Sequence, residues 1–137
     1  MTTANLRRPL TGLGSPGAVF GKAVLFAQRF PAQTDADFLA ECKLGDNRGA
    51  VRIALAVRRS VARYGMVSPE HIGAGHSYPG ELESLSGWDS LDFLAWLFEL
   101  ERELDQKINF EFVRHLRFPF TVRDLAQTVY ARMNRPE

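Results

Sequence analysis

The sequence predicts an all-α fold, a small helical bundle, and three observations carry that reading. Apolar residues recur at three- and four-residue steps over two long stretches, about 50–64 and 89–104. Capping residues and helix breakers stand where those stretches begin and end. No run alternates apolar and polar residues with period two, the signature of a half-buried strand.

The elements follow in chain order. Residues 1–34 contain no Asp or Glu and carry Arg7, Arg8, Lys22 and Arg29 among Gly, Pro, Ser and Thr. Gly12, Gly14, Pro16 and Gly17 interrupt regular structure there, while 18–30 is apolar enough for a short helix or strand. A basic, acid-poor start also fits an organellar presequence. The preferred reading is an N-terminal arm whose apolar part packs on the domain or on a partner. Thr34 or Asp35 caps a short helix over 35–42, with Phe38, Leu39 and Cys42 on one side. Residues 45–49 read as a loop. The helix over 50–64 places Ala50, Ile53, Ala54, Val57, Val61 and Tyr64 on one stripe, leaves Arg52, Arg58, Arg59 and Arg63 outside it, and stops at Gly65. A long loop spans 66–86, broken by Pro69, Gly73, Gly75, Pro79 and Gly80. The helix over 89–104 is apolar on more than one stripe, so it is either buried on several sides or offers a patch to a partner. A Phe-rich segment with one short helical turn leads to Thr121, which caps a last helix from Val122 to about Met133. The domain organisation expected is an extension over 1–48, a helical domain over 49–133 and a tail over 134–137.

Composition narrows the function classes. The 137 residues are 45% apolar and 24% charged, with a formal net charge of +1, which gives no global case for a nucleic-acid or membrane-surface binder. No apolar run reaches membrane-spanning length. A single cysteine, Cys42, excludes an internal disulfide and fits a reducing, cytoplasmic setting. The charge is polarised, however. Residues 1–79 hold ten basic and five acidic groups, 80–105 one and eight, and 106–137 six and three. A concentrated acidic segment therefore lies between two basic ones.

Conventional catalytic constellations are thin. His71, His76 and His115 lack metal-ligand spacing, Cys42 sits on an apolar face, and the Gly73–Gly75 loop is followed by no Lys-Ser or Lys-Thr. Glu81 and Glu83 share a loop that offers no opposed environments for acid and base. An autonomous enzyme is not expected. Gly87-Trp88-Asp89-Ser90-Leu91 is more specific: it puts a serine at the start of a strong helix, on a loop-to-helix turn. Unpaired N–H groups and partial positive charge at a helix N-terminus favour a phosphate ester there. With no Ser-His-Asp arrangement to assemble, Ser90 reads as an attachment point rather than a nucleophile. The plainer reading is a helix start, with Ser86 and Asp89 as a capping box.

The surroundings of this motif resemble the acyl carrier proteins. Residues 87–108, G-W-D-S-L-D-F-L-A-W-L-F-E-L-E-R-E-L-D-Q-K-I, are similar to the second helix and following turn of that family, without a gap. Thr121-Val-Arg-Asp-Leu125 resembles the start of its last helix, and Val67-Ser-Pro-Glu-His-Ile72 the turn after its first. The resemblance covers about residues 49–133 and implies a four-helix carrier bundle behind an N-terminal extension. It implies that Ser90 receives phosphopantetheine from coenzyme A and that Asp89 helps the phosphopantetheinyl transferase recognise it. It further implies that the helix after Ser90, through Leu91, Asp92, Trp96, Glu99, Glu101 and Glu103, docks acyl-loading and acyl-transfer enzymes. The expected protein is a cytoplasmic monomer serving a specialised fatty-acid, polyketide or peptide-type pathway.

Departures from the family pattern define the alternatives. Ala95 stands where the family usually has a glutamate, Arg102 interrupts the acidic run, and Trp96 and Phe98 are bulkier than the usual aliphatics. Turned inward, the two aromatics would fill the space that shelters an acyl chain; turned outward, Trp96 becomes a partner contact. The rival function is an unmodified carrier-like interaction module that uses Trp96, Phe98 and the acidic helix edge. A weaker one is a basic adaptor using the arginines of 52–63 on nucleic acid.

Overall fold

The computed structural model describes residues 16–85, 88, 93–108 and 119–133. Among these the chain is mostly helical, with helices α1 (Pro16–Arg29), α2 (Asp35–Cys42), α3 (Arg48–Gly65), α4 (Phe93–Leu104) and α5 (Val122–Met133). Two 3-10 turns, Pro69–His71 and Glu81–Ser84, shape the connection between α3 and α4. One short antiparallel pairing joins β1 (Ser77–Tyr78) to β2 (Phe120–Thr121), with Ser77 opposite Thr121 and Tyr78 opposite Phe120. Strands of two residues are too short to leave an alternating pattern, which is why the sequence does not announce them. The short helical turn expected after Phe110 lies outside the described residues, as do residues 1–15.

Local chemistry accounts for the helix boundaries. Pro16 opens α1, where its missing N–H breaks no intrahelical bond. The Thr34 hydroxyl accepts from the Asp37 amide at 3.1 Å, capping α2. Asn47 accepts from the Ala50 amide at 2.8 Å, so α3 begins at Arg48, two residues earlier than the apolar stripe. At α5, the Thr121 hydroxyl accepts from the Asp124 amide while the Asp124 carboxylate accepts from the Thr121 amide, a reciprocal capping box. The next amides of α5 are also satisfied: Val122 donates to the carbonyl of His76 and Arg123 to that of Ala74, both at 2.9 Å. The carbonyls at the end of α2 accept from α5, Glu41 from Arg123 Nε and Cys42 from Gln127 Nε2.

The end of α3 corrects one expectation. The left-handed residue that closes the helix is Met66, with φ 64°, and Val67 donates back to the carbonyl of Ala62. Gly65 is needed for a different reason. A Cβ at that position would stand 2.8 Å from Leu85 Cδ1 and 3.2 Å from Trp88 Cδ1, so Leu85 and Trp88 lie directly on the helix backbone.

One core runs through all five helices. It includes Phe26 of α1, Phe38 and Cys42 of α2, Val57 and Val61 of α3, Trp96 and Leu100 of α4 and Leu125 and Val129 of α5. The core therefore does not stop at residue 49. Central to it is α3, on which ten residues are buried, including Ser60 and Arg58. Arg58 was expected outside the apolar stripe and instead is 2% exposed. Its Nε donates to the carbonyl of Ile72, one terminal nitrogen to the carbonyls of Gln33 and Glu70, and the other to the Asp35 carboxylate at 2.7 Å. Its guanidinium also lies over the Phe38 ring at 4.8 Å. A buried charge is tolerable only when it is paired and hydrogen-bonded, and here α2 and the 69–72 turn wrap the arginine to satisfy it.

Two outcomes follow from this packing. Gly65→Ala should lower stability by about 1–3 kcal/mol through overpacking, despite the ~1 kcal/mol that alanine gains in helix propensity. Urea denaturation measures the balance. Arg58→Met should cost on the order of 3 kcal/mol by removing the donor to the Ile72 and Gln33 carbonyls and the partner of Asp35, whereas the partly exposed Arg59→Met should cost under about 1 kcal/mol. The same titration separates them.

Candidate functional site

Asp89, Ser90, Leu91 and Asp92, the residues to which the sequence assigns attachment, recognition and docking, lie outside the described residues, as do Ser86 and Gly87. Their flanks are described. Trp88, immediately before Asp89, is 1% exposed. Its indole N–H donates to the carbonyl of Val61 at 3.3 Å, and its ring packs edge-on against Tyr64 at 5.1 Å and tilted against Tyr78 at 5.8 Å. The chain is thus pinned to α3 one residue before the Asp89–Ser90 pair. On the other side, α4 carries the remaining candidate residues.

Trp96 requires a correction. It is fully buried, with no surface to offer a partner, and its indole N–H donates to the Ser60 hydroxyl at 2.9 Å. Ser60 in turn donates to the carbonyl of Val57 at 2.8 Å. A serine on the buried side of α3 supplies the acceptor that an indole N–H needs in a core, so Trp96 points in. Phe98, two residues on, faces the other way and is 54% exposed.

The acidic residues of α4 are engaged largely within the chain. Glu103 accepts from Arg59 Nε at 2.7 Å and from Arg63, and its side chain is only 11% exposed. It is therefore an internal tie between α3 and α4, not the open docking charge the sequence led us to expect. Glu99 lies 3.8 Å from Arg63 and 3.5 Å from Arg102. Glu101 accepts from the Ile108 amide at 2.8 Å, holding the turn after α4. Arg52 donates to the carbonyl of Leu104, a cation at the negative end of the helix. Hence α3 and α4 run in opposite directions, with Arg52 at one end of the seam and Arg63 reaching back to Glu99 at the other.

His71, His76 and Cys42 are engaged as well, and His115 lies outside the described residues. His71 Nδ1–H donates to the carbonyl of Phe30 at 2.8 Å. His76 Nδ1 accepts from the Gly73 amide at 2.9 Å, and its ring packs on Phe26 and Phe30 of the α1 segment at 5.3 and 4.4 Å. Burial lowers the His76 pKa from its ordinary 6.5, with Arg29 adding to the effect and Glu81 opposing it. Hydrogen bonds from the Ser77 and Glu81 amides hold Glu81 below its ordinary 4.5. Burial pushes the Cys42 thiol up to about 11, the property of a packed residue and not of a nucleophile. Among the described residues no group of three or more His, Cys, Asp or Glu is placed to hold a metal ion, and no helix is long and apolar enough to cross a membrane.

Sequence reading missed two of these arrangements. Ser60 and Arg58 both sit within helical spacing of stripe residues: Arg58 is four after Ala54 and three before Val61. That spacing, weighed above residue type, would have placed Arg58 inside. The contact of Phe26 and Phe30 with His76 left no local signal, because it joins residues 46 or more apart in the chain. No protein-family model, curated protein or solved structure matches the chain.

The histidine geometry sets a pH dependence. Above pH 6.5 His76 is neutral in both folded and unfolded chains; below it the unfolded chain takes up the proton first, so stability is lost as the pH falls. Glu81 acts in the same direction lower down, its contribution present above pH 4.5 and lost as the pH falls through its depressed folded value. The thermal midpoint should therefore drop between pH 7.5 and pH 5.5. In a His76→Gln variant that drop should shrink, as differential scanning fluorimetry across pH would show.

Proposed function

We propose that this chain is a carrier protein: Ser90 bears phosphopantetheine, and a carried acyl or aminoacyl group is presented from it to partner enzymes. The observation that carries this reading is the Gly87-Trp88-Asp89-Ser90-Leu91 sequence just ahead of α4, with Trp88 fastened to α3, and the order of elements around it. That order is a long helix, the 66–72 turn, the connection to α4, and α5 opening on Thr121. The carrier bundle would draw on α3, α4 and α5, with α1 and α2 joined to the same core.

The residue types fit the group. Ser90 supplies a hydroxyl and Asp89 a carboxylate for recognition by the transferase. His71 and His76 are committed to Phe30 and Gly73, which supports a serine that is modified rather than one that catalyses. In attachment, a bond forms between Ser90 Oγ and the phosphorus of coenzyme A next to pantetheine. The bond from that phosphorus to the oxygen of adenosine bisphosphate breaks, and the hydroxyl proton passes to a base on the transferase. Once bound, the group supplies a thiol on a flexible arm for thioester chemistry performed by other enzymes. The chain's own part is to fasten Trp88, one residue before Asp89, to α3 and to offer an outer surface of α4 to partners. Among the described side chains of α4, Phe98 is the exposed large apolar one.

Phe98 also supports a second reading, an unmodified interaction module whose contact centres on that side chain. Intact mass decides between the two. Incubation with coenzyme A and a broad-specificity phosphopantetheinyl transferase should add one phosphopantetheinyl group to the parent and none to Ser90→Ala. No addition to the folded parent, with a known carrier modified in parallel, would favour the interaction module.

A further inference from the structure

The end of α1, with Phe30 just after it, is held to the rest of the chain by two histidines of opposite chemical sense. Phe26 is buried, Phe30 packs against the core, and the His76 ring meets both, at 5.3 and 4.4 Å between ring centres. The Gly73 amide can only donate, so His76 Nδ1, 2.9 Å from it, carries no proton. The Phe30 carbonyl can only accept, so His71 Nδ1, 2.8 Å from it, is the protonated nitrogen. A second proton on His71 goes to Nε2, on the side of Glu70, and leaves its hold on Phe30 intact. A second proton on His76 must go to Nδ1, which turns the acceptor of the Gly73 amide into another donor facing it. Charged neighbours among the described residues add to the conflict. Arg29 of α1 already lies over the Phe30 ring at 4.8 Å and opposes a charged imidazole, while Lys22 is exposed further along the helix. Glu81 favours the charged ring, but its carboxylate already accepts from the Ser77 amide and hydroxyl. On α5, whose Val122 amide donates to the His76 carbonyl, Arg123 reaches the Glu41 carbonyl and the Asp124 carboxylate accepts from the Thr121 amide.

We infer that His76 is an acid-sensitive latch: proton uptake at Nδ1 frees α1, while α2, α4 and α5 stay packed on α3. The remaining helices keep their own ties. They pack directly on α3, and the clasp around Arg58 draws on Asp35, Gln33 and Ile72, none of them in α1. Linkage gives the sign. A freed His76 titrates near the ordinary 6.5, whereas burial and Arg29 hold the docked ring below it. The free form therefore binds the proton more tightly and gains population as the pH falls below 6.5. Once free, α1 shows Phe26 and more of Phe30 to water, beside Val24 and Leu25, which are already 53% and 66% exposed. Acid thus converts a docked helix into an apolar segment that also carries Lys22 and Arg29.

Hydrogen exchange of the full chain, read by mass spectrometry at pH 7.5 and 5.5 and corrected for intrinsic rates, tests this. At pH 5.5 the amides of 22–30 should exchange through an opening that urea hardly affects, and those of α3 through one that urea promotes. Protection over 22–30 should fall severalfold between the two pH values, up to the roughly tenfold limit set by a group titrating at 6.5. His76→Asn, which keeps an acceptor at the place of Nδ1 and does not titrate, should abolish that fall. His71→Asn, which keeps a donor toward Phe30, should preserve it. Arg29→Gln, at an exposed position, should reduce the fall, and it serves where His76→Asn does not fold. Equal protection of 22–30 at both pH values, or exchange there with the urea dependence of α3, would overturn the inference. So would a pH response that vanishes in His71→Asn, or one that persists unchanged in His76→Asn and Arg29→Gln.

Discussion

Most of this fold is built against one helix that keeps little of its surface in water. Ten of the residues of α3 are buried, and α2, α4, α5 and the 69–71 turn pack on it, while Phe26 of α1 joins the same core through His76. A helix so enclosed must have its polar groups met by neighbours, and two of them organise what surrounds it. Arg58 draws Asp35 and three backbone carbonyls around its guanidinium, which fixes α2 and the turn after α3. Ser60 receives the indole N–H of Trp96, which sets the rotation of α4. The hydrophobic effect supplies the driving force, but it is non-directional; these polar contacts give the packing its orientation.

That distinction explains how much was legible in the sequence. The helical class, the caps at Thr34 and Thr121, and the apolar faces of α3 and α5 are local properties, written in spacing and residue type. The charge of Arg58 points outward in the sequence, although its spacing from Ala54 and Val61 puts it on the buried side. Gly65 was read as a helix stop, but its role depends on Leu85 and Trp88, twenty or more residues on. Trp96 was left open between two directions, since only its partner on another helix decides between them. Of the candidate site, the outer members on α4 could be placed, while Asp89 to Asp92 remain readable through sequence alone.

The charge pattern was legible as a pattern and misleading as a surface. A basic helix followed by an acidic one invites two docking faces of opposite sign. In the fold, the nearest charges of each face meet across the α3–α4 seam, since antiparallel helices with four-residue spacing bring Arg59 and Arg63 to Glu103 and Glu99. Partly exposed pairs of this kind add little stability, so their main effect is to set register and to withdraw charge from the surface. What α4 offers outward is accordingly less acidic than its composition, with Phe98 beside Arg102.

The clasp around Arg58 also bears on where this protein can be cut. A boundary at residue 49, which the reach of the carrier-like motifs would recommend, removes Asp35 and the Gln33 carbonyl along with Phe26, Phe38 and Cys42. The remainder would hold a cation in its interior with half its acceptors gone, and an apolar wall facing water. A shorter version that begins at residue 49 would thus lose partners that α3 uses in the fold. Any excision that keeps α3 must keep Gln33, Asp35 and α2, which answer its arginine and cover its side.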